Sequence, residues 1–136
     1  TPRLHGAQTT SCAPLASAFA IGGAEPAEIT RVTTVCGGIE IERPRRGRDI
    51  LAAARASGGS IIASEDPLIL AERDALARLE GVYAEPTSCA GAAALAQLAL
   101  TGAVGPDDLV MLVLTGTGLK DPGPVTDEQA SRAEAT

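Results

Sequence analysis

The sequence has no tryptophan, one tyrosine and one phenylalanine among 136 residues. Stacking on nucleic-acid bases therefore has almost no material. The composition is 45% hydrophobic, so any core must be built from Ala, Leu, Ile and Val. Small aliphatic cores of this kind suit layered α/β proteins. Positive charge is scarce as well. Eleven Lys and Arg stand against 17 Asp and Glu, a net charge of −6, with a pI near 4.7. A nucleic-acid partner needs a basic surface, so none is expected. No apolar run reaches the length of a membrane-spanning helix, and no secretory signal is read ahead of the domain. Three cysteines, Cys12, Cys36 and Cys89, are odd in number and widely spaced, and His5 is the single histidine. No metal-ligand spacing results. Reduced, partly buried thiols in a cytoplasmic protein are expected. The first residue is Thr1 rather than Met, so the true N-terminus is expected to lie upstream.

What is present is an alternation. Residues 4–8 read as a short strand, and Thr9 to Ser11 as a turn with helix-capping side chains. Residues 12–20 read as a short helix with Pro14 in its first turn. Residues 24–48 read as an irregular connection with at most a short helix or strand, because Gly37-Gly38 breaks its β-branched run. An Ala-rich helix is predicted at 49–57 and an apolar strand at 60–63. Ser64 reads as the N-cap of a helix ended by Gly81. Its apolar stripe is Leu68, Ala71, Ala75, Leu76 and Leu79. A strand at 82–84 is followed by a long Ala/Leu helix capped by Thr87 or Ser88. Residues 109–114 form an unbroken apolar run, as expected of a strand buried on both faces. Strands alternating with helices predict a parallel sheet with helices on both faces. No internal repeat is visible, and residues 123–136 read as a polar tail.

In open α/β sheets, ligands bind beyond the carboxyl ends of strands. Two polar loops occupy such ends. Glu85-Pro86-Thr87-Ser88 joins a carboxylate to a hydroxyl-rich helix start whose amides suit an anion, or is a plain N-cap after a Pro turn. Thr115-Gly116-Thr117-Gly118 sets a hydroxyl between glycines that permit close approach, or is a simple turn. It lacks the spacing of a dinucleotide fingerprint and the lysine of a phosphate-binding P-loop. Lys120, the only lysine, is conceivable as a Schiff-base nucleophile. A Lys-Asp pair in a Gly/Pro-flanked loop is more often a surface or latch element. Arg43, Arg45, Arg46 and Arg48 form a basic cluster, either phosphate-binding or a solvated loop that neutralises nearby acids. His5 reads as structural.

Two of these motifs carry a resemblance. Glu85-Pro86-Thr87-Ser88-Cys89-Ala90 resembles the Glu-Pro-Ser-Ser-Ala-Ala element of threonine synthases. Residues 114–122, Leu-Thr-Gly-Thr-Gly-Leu-Lys-Asp-Pro, resemble that family's Leu-Thr-Gly-His/Asn-Gly-Leu-Lys-Asp-Pro ending. Arg43-Pro44-Arg45-Arg46-Gly47 and the segment 2–14 are similar to further elements of the family, in the same order. The match covers residues 1 to about 122. It implies the C-terminal portion of the large domain of a fold type II pyridoxal-phosphate (PLP) enzyme, a lyase that converts O-phospho-L-homoserine and water to L-threonine and phosphate. The resemblance implies PLP-binding roles for Thr115, which matches the hydroxyl on the pyridine nitrogen, and for Glu85, Thr87, Ser88 and Gly116. It also implies that the Schiff-base lysine and the PLP-phosphate loop lie upstream of this segment. The expected partners are therefore that N-terminal part, a small-molecule substrate and a further copy of the chain in a homo-oligomer. Thr117 departs from the usual His or Asn, and Cys89-Ala90-Gly91 from an Ala-rich run. Two other readings stand beside this one: a non-catalytic metabolite- or partner-binding module, and a segment of a serine/threonine dehydratase-like enzyme.

Overall fold

A computed structural model describes residues 2–126. Two strands, β1 (Gly6–Thr9) and β2 (Ile61–Ser64), pair in parallel, with Gly6 opposite Ile61 and Thr9 opposite Ser64. Between them run α1 (Pro14–Ala20), a 3-10 turn (Gly37–Ile39) and α2 (Gly47–Ala56). After β2 come α3 (Asp66–Glu80) and α4 (Pro86–Leu100). This is an α/β layering with helices on both faces of a parallel sheet.

The pleat sorts the two faces. Ile61 joins Leu15, Ala18, Leu51 and Ala54 in one apolar cluster, under α1 and α2. Ala7 packs on the other cluster, formed by Cys36, Ile69, Ala84, Cys89, Ala90 and Ala93 under α3 and α4. Each helix start is adapted to its place. Pro14 and Pro86 sit in first turns, where a missing N–H costs nothing. Gly81 ends α3 in the left-handed conformation at φ 67°.

Several expected details differ. The side chain that satisfies the start of α1 is not on the 9–11 turn. Gln8 Oε1 accepts the N–H groups of Leu15 and Ala16, each at 2.9 Å. Ser64 ends β2 instead of capping α3, and its Oγ accepts a hydrogen bond from Gln97 on α4 at 2.7 Å. Glu85, not Thr87 or Ser88, is the N-cap residue of α4. The buried stripe of α3 is turned from the expected one. Ile69 and Arg73 are its buried residues, whereas Leu79 is exposed.

Two predicted strands are not ladder strands. Residues 82–84 contribute a single antiparallel bridge, Ala84 to Thr117. Residues 109–114 have no strand partner among the described residues, and Leu109, Val110, Met111, Val113 and Leu114 are exposed. A strand exists through its neighbours' N–H and C=O groups, and here none is adjacent. Leu112 is half-buried and lies against Gly91 of α4.

The segment expected to begin a polar tail is fastened in its first part. Arg73, almost wholly buried, donates to the carbonyls of Pro122 and Pro124 and pairs with Asp74 at 2.8 Å. Thr126 donates to Asp74 at 2.6 Å. The remainder of the predicted tail, 127–136, lies outside the described residues.

Candidate cofactor-binding site

The two loops singled out from the sequence meet. Glu85 N–H donates to the Gly116 carbonyl at 3.1 Å, and Gly118 N–H to the Tyr83 carbonyl at 2.9 Å. Both glycines are required by this close approach. A Cβ on Gly116 would overlap Glu85 Oε1, and one on Gly118 would lie 2.6 Å from the Tyr83 ring.

Ser88 is the hub. It is buried, in the first turn of α4, and its Oγ accepts the N–H groups of Thr115 at 3.0 Å and Gly116 at 2.7 Å. Its hydroxyl also lies 3.0 Å from Thr115 Oγ1 and 3.2 Å from the Gly116 carbonyl. A serine hydroxyl has two lone pairs and one proton. The two amides occupy both lone pairs, so the proton must go to Thr115 Oγ1 or to the Gly116 carbonyl. In either case Thr115 does not donate to Ser88. The exposed Thr115 keeps its own O–H available to an outside acceptor.

Glu85 is buried, and its carboxylate is held by Lys120 Nζ at 3.1 Å. Lys120, itself exposed, therefore takes the latch position. Thr87 is half-buried and accepts the N–H of Gly38 at 3.3 Å. That contact brings the 3-10 turn to the same place, with a Cβ at Gly38 only 3.0 Å from Thr87 Cγ2. Sequence reasoning assigned Gly38 no role. Its one signal was a Gly-Gly pair interrupting a β-branched run. All five residues expected at the cofactor, Glu85, Thr87, Ser88, Thr115 and Gly116, are thus in one constellation.

The arginine cluster is elsewhere. Arg43 and Arg45 line a groove of about 530 Å³ with Glu25, Glu28, Glu42 and Pro26, and none of the five residues lines it. Arg48 pairs with Glu25 and Arg46 with Asp49, which is the charge-neutralising arrangement. His5 bonds Ser60 Oγ at 2.8 Å on the surface.

The three cysteines are free and buried. Burial pushes the Cys36 thiol up to about 12, with the Asp66 carboxylate adding to it. Cys89 is pushed up to about 11, again by burial, against a lowering by Arg73. Burial also raises Cys12, helped by Glu42 and Glu40. Such thiols are poor nucleophiles and poor metal ligands. No group of three metal-ligating side chains occurs among the described residues. No helix among them is long and apolar enough to cross a membrane.

This architecture has known counterparts. The family described as pyridoxal-phosphate dependent enzymes matches residues 1–116, and the chain belongs to it. The relatives it matches include threonine synthases. The one from Methanosarcina acetivorans is 36% identical over 126 residues, 93% of this chain and 31% of the relative. That from Mycobacterium tuberculosis is 36% identical over 89% of this chain and 31% of its own length. The chain thus spans about a third of the relatives it matches. Maize serine racemase shares the fold, with a TM-score of 0.56 over 68% of this chain and 26% of that protein, at 18% identity.

Proposed function

We propose that this chain forms the ring-nitrogen wall of a PLP site in a threonine synthase, an enzyme that makes L-threonine and phosphate from O-phospho-L-homoserine and water. The carrying observation is the Ser88–Thr115 arrangement, which leaves one hydroxyl donor fixed from behind and open in front. Thr115 would donate to the pyridine nitrogen and leave that nitrogen without a proton. PLP, when bound, supplies an electron sink for the carbanion chemistry of amino acids. Gly116 permits the close approach, Thr87 and Gly38 flank it, and Ser88 fixes Thr115. Residues for the cofactor's other end, a Schiff-base lysine and a phosphate loop, would come from the part of the enzyme that corresponds to the remaining two thirds of the relatives. Lys120, paired with Glu85, serves the loop instead. The resemblance of residues 114–122 to the threonine synthase ending favours this reaction over a dehydratase, and the serine racemase likeness supports the fold only.

The test is a graft. This chain replaces the matching third of the Methanosarcina threonine synthase, and the product is given PLP and O-phospho-L-homoserine. Threonine and phosphate should appear. A graft that binds PLP but releases ammonia from serine or threonine would favour the dehydratase reading. A folded graft that binds no PLP would favour a non-catalytic module.

A further inference from the structure

We propose that Lys120 is a positioning residue that acts through Glu85: it neutralises the carboxylate beside Thr115, and so keeps the nitrogen heterocycle facing Thr115 in its neutral form. This rests on the PLP reading above. Glu85 is buried, with a side chain only 8% exposed, and its carboxylate abuts Gly116, the neighbour of Thr115. A buried negative charge at that point would stabilise a protonated, cationic ring nitrogen. A protonated ring would donate to Thr115 Oγ1 instead of accepting its proton. Lys120 Nζ lies 3.1 Å from Glu85 Oε2 and cancels that charge.

The other charged groups nearby are already engaged. On α3, Arg73 is bound to Asp74 and to the carbonyls of Pro122 and Pro124. Asp66 accepts from Thr9, Thr34 and the Val35 amide. In the loop, Asp121 accepts the Gly123 amide. Tyr83 precedes the bridge at Ala84 and packs its ring against Gly118. Cys89 on α4 is held in its neutral form by burial. Among the described residues Lys120 is the cation paired with Glu85, and it is also the chain's only lysine. At 71% exposure it is placed on the solvent side, where its removal leaves no cavity.

The experiment uses PLP labelled with ¹⁵N at the ring, bound to the cofactor-loaded protein that carries this chain, with the ring-nitrogen signal followed against pH. The wild type should show a neutral nitrogen. Lys120→Met should move the protonation midpoint upward by on the order of one pH unit, the size of one uncompensated charge several ångströms away at an effective dielectric near 20. Lys120→Arg should restore the wild-type curve, and so should the double variant Lys120→Met/Glu85→Gln, which removes both charges. A merely structural latch would be repaired by Lys120→Arg but not by the double variant, which makes the double variant the deciding arm. Thr115→Val is the control. If it changes the nitrogen signal while Lys120→Met does not, the role of Lys120 is refuted and the site stands. If Thr115→Val also leaves the signal unchanged, the PLP reading itself fails.

Discussion

Replacing Ser88 by alanine removes a single oxygen that serves the site twice. Its Oγ accepts the amides of Thr115 at 3.0 Å and Gly116 at 2.7 Å. An unsatisfied buried donor costs about 1–3 kcal/mol. Thr115 is exposed and Gly116 half-buried, so water recovers part of each. The net expectation is a loss of about 2 kcal/mol. With a urea slope of about 1–3 kcal/mol per molar, the unfolding midpoint should fall by roughly 1 M. Amide exchange locates the effect: Thr115 and Gly116 should lose protection, and the middle of α4 should keep it. Ser88→Ala should also weaken PLP binding without touching the ring, because Thr115 loses the partner that fixes its rotamer. A midpoint within 0.2 M of wild type (an order-of-magnitude bound, from the same slope) with unchanged exchange at both amides would refute the hub role of Ser88.

Gly116→Ala should cost more in cofactor affinity than in stability, since its Cβ would overlap Glu85 Oε1 and push the loop outward; PLP titration against urea unfolding separates the two. Gln8→Leu should destabilise the chain by about 2–4 kcal/mol, because it strands the Leu15 and Ala16 amides at the start of α1; chemical denaturation reads it. The buried thiols set an alkaline limit. Cys36 and Cys89 are raised from 9.0 to about 12 and about 11, so the native state holds protons that the unfolded chain releases first. Stability should be flat below pH 9 and fall from there through the folded values, by up to about 1.4 kcal/mol per pH unit for each thiol. Cys36→Ser/Cys89→Ser variants, compared across pH 8–11 (roughly the window those shifts define), should show a flatter decline.

Much of the layering was legible because helix starts and stops are local, although the capping side chains were not the expected ones. The Pro14 first turn, Gly81 as a stop and the apolar β2 segment all follow from residue chemistry within a few positions. What failed was non-local. Residues 109–114 carry the composition of a buried strand, but a strand needs neighbours, and these residues are exposed with none among the described residues. Arg73 is the reverse case: a charged residue reads as surface, yet it is buried because the carbonyls of Pro122 and Pro124 and Asp74 satisfy it. Gln8 was invisible for the same reason, since its partners lie on the next element. The site loops were legible as strand-end loops with glycines. That Ser88 Oγ accepts both amides of the opposite loop beside the Thr115 hydroxyl required the coordinates.

If the Thr115 hydroxyl holds a neutral ring nitrogen of PLP, its removal must weaken the cofactor. The most direct measurement is the PLP dissociation constant of the cofactor-loaded protein, compared at one pH for the wild type and the Thr115→Ser and Thr115→Val variants. A lost hydrogen bond that strands a buried acceptor is worth about 1.4 kcal/mol or more, roughly tenfold in affinity. Thr115→Ser should bind as the wild type does, and Thr115→Val at least about tenfold more weakly. Equal affinity in all three would contradict the account.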